Sequence, residues 1–156
     1  MTDIALVWNA AEGIADFAMN GPDLLTDGGL ETAVILSLFS DRLAQPGDAI
    51  PDGTTDRRGW WGDMPVAASE QDSAPPATSI YGSRLWLLDR ALATTETLRR
   101  AEDYAREALA WMTADGVAGS VTAAASYPQP GTIALSITIG QDGGASTYSY
   151  AWAATG

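Results

Sequence analysis

Asp56, Arg57, Arg58, Gly59, Trp60, Trp61, Gly62 and Asp63 put two carboxylates, two guanidinium groups and two indoles into one short stretch. Tyr81, Gly82, Ser83, Arg84, Leu85 and Trp86 repeat the mixture downstream. These side chains do recognition chemistry. A guanidinium plane stacks on an indole or forks onto a carboxylate, and a buried indole N–H requires an acceptor. The flanking glycines let backbone approach closely. Two compatible readings follow. In one the stretch is an internal brace, with Trp60 and Trp61 closing a core edge while Arg57 and Arg58 pair with acidic groups. In the other it anchors a partner protein, because Trp and Arg are enriched where interfaces concentrate their binding energy.

The rest of the inventory removes much enzyme chemistry. Twenty Asp and Glu face eight cations, a net charge of −12, and every cation is Arg. Without Lys, His or Cys there is no Ser–His or Cys–His nucleophile, no thiolate or imidazole metal site, no disulfide and no Schiff-base lysine. Carboxylate acid–base work and hard-cation binding survive. Asp48, Asp52 and Asp56 share one loop but lack the glycine and closing Glu of a calcium loop, so they read as a solvated segment and no metal is expected. No cofactor is expected either. The acidic balance argues against a nucleic-acid partner and against anionic membrane surfaces. No basic-then-apolar leader and no run near ~18 apolar residues is visible, so an aqueous compartment is expected.

The elements that must position these residues are legible from periodicity. Asp3 to Trp8 alternates as a first strand, and Ala15 to Met19 pairs with it across a turn at Asn9 to Gly13. Asn20, Gly21, Pro22 and Asp23 form a second turn. Asp27 is placed to cap a helix over Gly29 to Ser40, whose apolar face holds Leu30, Val34, Ile35, Leu38 and Phe39. A long irregular segment over about 41–79, punctuated by Gln45, Pro46, Gly47 and by Ala74, Pro75, Pro76, then carries the aromatic stretch; a loop of that length is usually functional or interfacial.

Ser83 to Ala91 reads as a short helix, and Thr94 or Thr95 caps a long one over Glu96 to Ala114. Leu98, Ala101, Ala105, Ala108, Leu109 and Met112 form its apolar stripe. Arg99, Glu102, Asp103, Arg106 and Glu107 read as its solvated face. Gly116 closes it. Three strands follow, Val117 to Ala125, Thr132 to Ile139 and Ser146 to Trp152, with a turn at Tyr127 to Gly131 and a hairpin at Asp142, Gly143 and Gly144. The expected fold is therefore a single α+β domain over 1–156, an antiparallel meander packed on two or three helices with a long middle loop.

In this order, an Asp-Ile-Ala-Leu strand, Arg57 to Asp63, then Tyr81 to Trp86, a helix, Asp115, Gly116, Val117 and a hairpin, the chain resembles the Mu-like phage baseplate proteins, a branch of the W-like wedge proteins of contractile tails, also called lysozyme-like. The resemblance covers nearly the whole chain, and the aromatic motif is its specific part. It implies a structural, non-enzymatic virion component at the inner baseplate, assembled in the bacterial host cytoplasm. Its partners would be other baseplate wedge proteins and the tail tube or sheath start. The motif residues Arg57, Arg58, Trp60, Trp61, Gly62, Asp63, Gly82, Arg84 and Trp86 carry over as candidates. In the wider group the equivalent helix is followed by Glu-Pro-Arg, associated with assembly contacts. Here Ala114, Asp115, Gly116 and Val117 stand there, and no arginine contact carries over.

Two functions from different classes follow. An assembly module would offer the edge of the last strand, with Tyr148, Tyr150 and Trp152, to a partner's strand through main-chain bonds; alternatively those three rings cover the long helix. A peptidoglycan glycosidase, suggested by the lysozyme-like label, needs two carboxyls flanking a cleft, one with a raised pKa. Asp56 and Asp63, bracketing indoles able to stack on sugars, are the best pair for it.

Overall fold

The computed structural model describes residues 3–27, 29–60 and 81–154. The fold is α+β: helices pack on antiparallel sheets, and α2 (Thr95–Ala114) lies along a three-stranded meander of β7 (Ser120–Gln129), β8 (Thr132–Gln141) and β9 (Gly144–Ala153). Thr94 caps α2, its hydroxyl accepting from the Thr97 N–H at 3.2 Å. Small residues along the inner stripe, Ala101, Ala105 and Ala108, let the helix approach the sheet closely, and Leu109 and Met112 complete it. Opposite them, β8 alternates strictly and buries Ile133, Leu135, Ile137 and Ile139. Gly116 takes φ 73 and Ala118 N–H returns to the Met112 carbonyl at 2.9 Å, which ends the helix and aims the chain into β7.

β8 and β9 outrun their expected bounds, whereas β7, expected from Val117, begins only at Ser120 and runs on to Gln129. β7 continues through Tyr127 and Pro128, expected as turn, because an edge strand tolerates proline and the register shifts between Ser126 and Gln129 to accommodate it. Only Pro130 and Gly131 turn. The expected short helix over 83–91 is reduced to a 3-10 helix, Leu85–Leu88, which buries Leu85, Trp86 and Leu88.

The N-terminal strands divide where periodicity gives no warning. β1 (Asp3–Ile4) pairs with β6 (Thr26–Asp27), β2 (Leu6–Asn9) with β3 (Ile14–Phe17), and β4 (Met19–Asn20) with β5 (Asp23–Leu24). The three arms meet at a closed ring of backbone bonds: Ala5 N–H donates to Leu25 O, Leu25 N–H to Ala18 O, and Ala18 N–H to Ala5 O, at 2.8–2.9 Å. Thr32 ties this junction to α1 (Glu31–Phe39), its hydroxyl donating to Ile4 O at 3.2 Å and accepting from Leu6 N–H at 3.2 Å. Asp27 caps α1 from outside it, accepting from the Gly29 and Thr32 amides at 2.7 and 3.0 Å. Among the described residues no helix is long and apolar enough to cross a membrane.

Candidate functional site

Two loop segments, 40–60 and 81–89, are laced together and hold the predicted arginines. Arg42 N–H donates to Ser83 O at 2.9 Å, and Ser83 N–H donates to Ser40 O at 2.8 Å. The buried Ser83 hydroxyl donates to Leu38 O. Gly82, at φ 85, passes so close that a Cβ there would lie 2.4 Å from Ser40 O, which explains a glycine at this position of the motif. Trp86 finds its indole acceptor in Arg42 O at 2.9 Å. Arg57 reaches back across the loop to donate to Ala44 O, while Ala44 N–H donates to Arg57 O at 2.9 Å.

Arg58 sits on this frame with φ 51, a left-handed conformation unusual for a residue with a side chain. Its own N–H donates to Asp56 Oδ1 at 2.8 Å, and Nη1 donates to Asp41 Oδ2 at 2.9 Å. The guanidinium lies 4.5 Å above the Trp86 ring. Arg58, Asp41 and Trp86 line a cleft of about 280 Å³ to which Trp8, Glu12, Asp89 and Trp152 also contribute. Asp89 is exposed as a residue, yet partial desolvation of its carboxyl raises its pKa, helped by nearby Asp41 and opposed by Arg58.

Arg84 organises a second node. Its Nε donates to Glu107 Oε2 at 2.9 Å, its Nη1 pairs with Asp48 at 3.2 Å, and the guanidinium stacks 4.6 Å from the Tyr104 ring. Burial alone would lower the Arg84 pKa; hydrogen bonds to Glu107 and Asp48 outweigh it and raise it. Arg42 adds a longer contact to Glu107 at 3.9 Å. Glu107, expected on a solvated helix face, is therefore half-buried in this node. Glu102 departs from that face too, accepting from the Ala125 N–H of β7 at 3.0 Å.

Trp60 and Tyr81 meet with ring centroids 4.6 Å apart, which brings positions 60 and 81 together. Trp61, Gly62 and Asp63 lie outside the described residues, so the Asp56 and Asp63 pair has one described member. Asp56 is exposed and accepts from a backbone amide. Asp48 is committed to Arg84, and Asp52 accepts from the Thr54 amide and hydroxyl at 3.0 and 2.7 Å. Among the described residues no three carboxylates converge as a metal site would require.

The meander rings are drawn into the body. Tyr150 and Trp152 are buried, Tyr148 half-buried. Phe39 of α1 packs edge-on to Tyr150 and Trp152, both at 5.6 Å, and stacks on Trp8 at 3.7 Å. Trp8 Nε1 donates to Ala151 O at 2.8 Å, so the β2–β3 hairpin takes one acceptor of the outer β9 edge. Trp8, Asp41, Asp89 and Glu107 are the site residues that sequence reading missed; Trp8, Asp41 and Glu107 reach their partners from far along the chain, and no local spacing signals that.

The arrangement can recognise charged and planar side chains by stacking and ion pairing. The family model described as Phage protein GP46 matches residues 30–146, which contain both arginine nodes. The baseplate protein gp46 of Escherichia phage Mu is 44% identical over 139 residues, 89% of this chain and 87% of that protein. The Mu-like prophage FluMu protein gp46 of Haemophilus influenzae is 40% identical over 139 residues, with the same shares of each chain covered. Taken together, the match over 30–146 and the two relatives show that this chain belongs to the phage GP46 protein family.

Proposed function

We propose that the protein is a structural component of a contractile-tail baseplate, within the virion, and acts as a wedge-type assembly module through protein–protein contacts. The observation that carries this reading is the 44% identity to a protein named as a phage Mu baseplate protein, spread over 89% of the chain. Geometry supports it. The arginine motif is pinned by the body of the fold on one side and opens into the Arg58 and Trp86 cleft on the other, where a neighbour's side chains have access. The outer edge of β9 offers a second contact. Gln141 pairs with Gly144 across a two-residue turn, so the even-numbered residues bond to β8 and the backbones of Ala145, Thr147 and Ser149 face outward, in phase with the Ala151 carbonyl that Trp8 takes.

The test mixes the purified protein with each other baseplate protein of the same tail, read by light-scattering-coupled gel filtration. A defined complex is expected. Arg58→Ala should weaken it about tenfold if the cleft is a contact, and Thr147→Pro should abolish it if a partner strand adds to β9, both variants keeping a native circular dichroism spectrum. Absence of complex with any of these proteins would sink the reading.

A further inference from the structure

A second surface, separate from the arginine cleft, has the character of a docking groove. It measures about 510 Å³ and runs between α1 and α2, walled by Ala33, Leu36, Tyr81 and Trp111 with Asp3 and Asp115 at its rim. Leu36 and Trp111 are 40% and 38% exposed, large apolar groups on helices whose other large apolar residues mostly face the core. The Trp111 indole is oriented by its N–H, which donates to Ser37 Oγ at 3.1 Å. Among the described residues no cation lines the groove.

Charge says what fits. The chain has no Arg before Arg42, while Asp3, Glu12, Asp16, Asp23, Asp27, Glu31 and Asp41 all precede it. The same region carries most of the exposed large apolar side chains, among them Phe17, Met19, Leu24 and Leu25 at 44–58% exposure. It adjoins the groove through Asp3 of β1. A second copy would therefore offer its apolar arms together with more carboxylates, against a rim that is already acidic, and like charges across an interface are disfavoured.

We propose that this groove receives a segment of a partner protein presenting one large apolar side chain between Lys or Arg residues. The apolar group would sit on Leu36 and Trp111 and the basic residues would pair with Asp3 and Asp115. The proposal rests on the assembly reading above and names the chemistry of one partner.

The experiment titrates each of the other baseplate proteins of the tail, purified singly, against the fluorescently labelled full chain and its variants Leu36→Ser, Leu36→Glu and Asp3→Lys/Asp115→Lys. For one of these proteins, Leu36→Glu and the double charge reversal should each raise Kd at least about tenfold, and Leu36→Ser less. Raising NaCl from about 0.05 to about 0.3 M should weaken the wild-type complex several-fold, whereas the charge-reversed one, whose Lys residues then face basic groups, should not weaken and should tighten if anything. Circular dichroism and a two-state urea transition establish that each variant is folded. A complex indifferent to all three variants overturns the groove while the assembly reading stands; no complex at all removes both. A homodimer of the wild type that Leu36→Glu dissolves would assign the groove to a second copy. An unchanged complex with altered proteolysis within residues 61–80 would assign it to that segment of the same chain. Either of these overturns the proposal.

Discussion

Arg58 and Arg84 show how one residue type serves two ends. Arg84 is enclosed by Tyr104 and Glu107 of α2 and by Asp48 of the 41–60 segment, so its bonds fix that segment against α2. Among the described residues the Arg58 guanidinium pairs with Asp41 and stacks on Trp86, and it lines a cleft rather than being enclosed as Arg84 is. Asp89 shares that cleft, and its raised pKa has a thermodynamic consequence. The folded state holds the Asp89 proton more tightly than the unfolded chain does, so the associated stability is present below the ordinary carboxylate value of about 3.9 and is lost as pH rises through the folded pKa. Asp89→Asn should therefore raise the urea midpoint at pH 7, with the gain vanishing near pH 3; an unchanged midpoint at pH 7 would count against it. Gly82 has the opposite sensitivity. Gly82→Ala combines a positive φ with a collision against backbone, and should destabilise by roughly 2 kcal/mol or more in equilibrium denaturation.

Among elements, α1 depends most on a residue outside it. Its N-cap position is Leu30, which provides no side-chain bond, and Asp27 supplies the acceptors instead. Hydrogen bonding from Thr32 N–H is the largest influence holding the Asp27 pKa below its ordinary value, against a raising effect of burial. A lowered folded pKa gives stability that is present above the unfolded value and lost as pH falls through the folded one. Asp27→Ala should thus cost about 1 kcal/mol at neutral pH. The gap to the wild type should hold from pH 7 to about pH 5 and narrow below about pH 4. A gap independent of pH would show that the carboxylate charge is not the source.

On the scale of the whole molecule, what could be read ahead was what repeats locally. The stripe of α2, the alternation of β8 and the hairpin at Asp142 to Gly144 each follow from a period that one short window contains. The junction of Ala5, Ala18 and Leu25 has no such signature, because alternation continues straight through Ala5 and Ala18 and only a third, distant strand decides that the chain bends there. The site divides the same way. Trp86, Gly82 and the arginines stand out by type, but Asp41, Asp48 and Glu107 become partners only when the fold brings them from 17 to 36 residues away. Pro128 misled for a related reason: a turn former by type, it is carried within β7 because that strand lies at the edge of the sheet.

The ring joining Ala5, Ala18 and Leu25 has a mechanical meaning. Each of the three residues both gives and receives one of the three backbone bonds, so a pull on any one of them strains two bonds at once while the third still joins the other two. Thr32 then passes the tension through Ile4 and Leu6 to the start of α1. A tug on the tip of one hairpin is shared like weight on a tripod and delivered to the helix that carries Leu36, so force applied at the N-terminal arms is felt beside the groove.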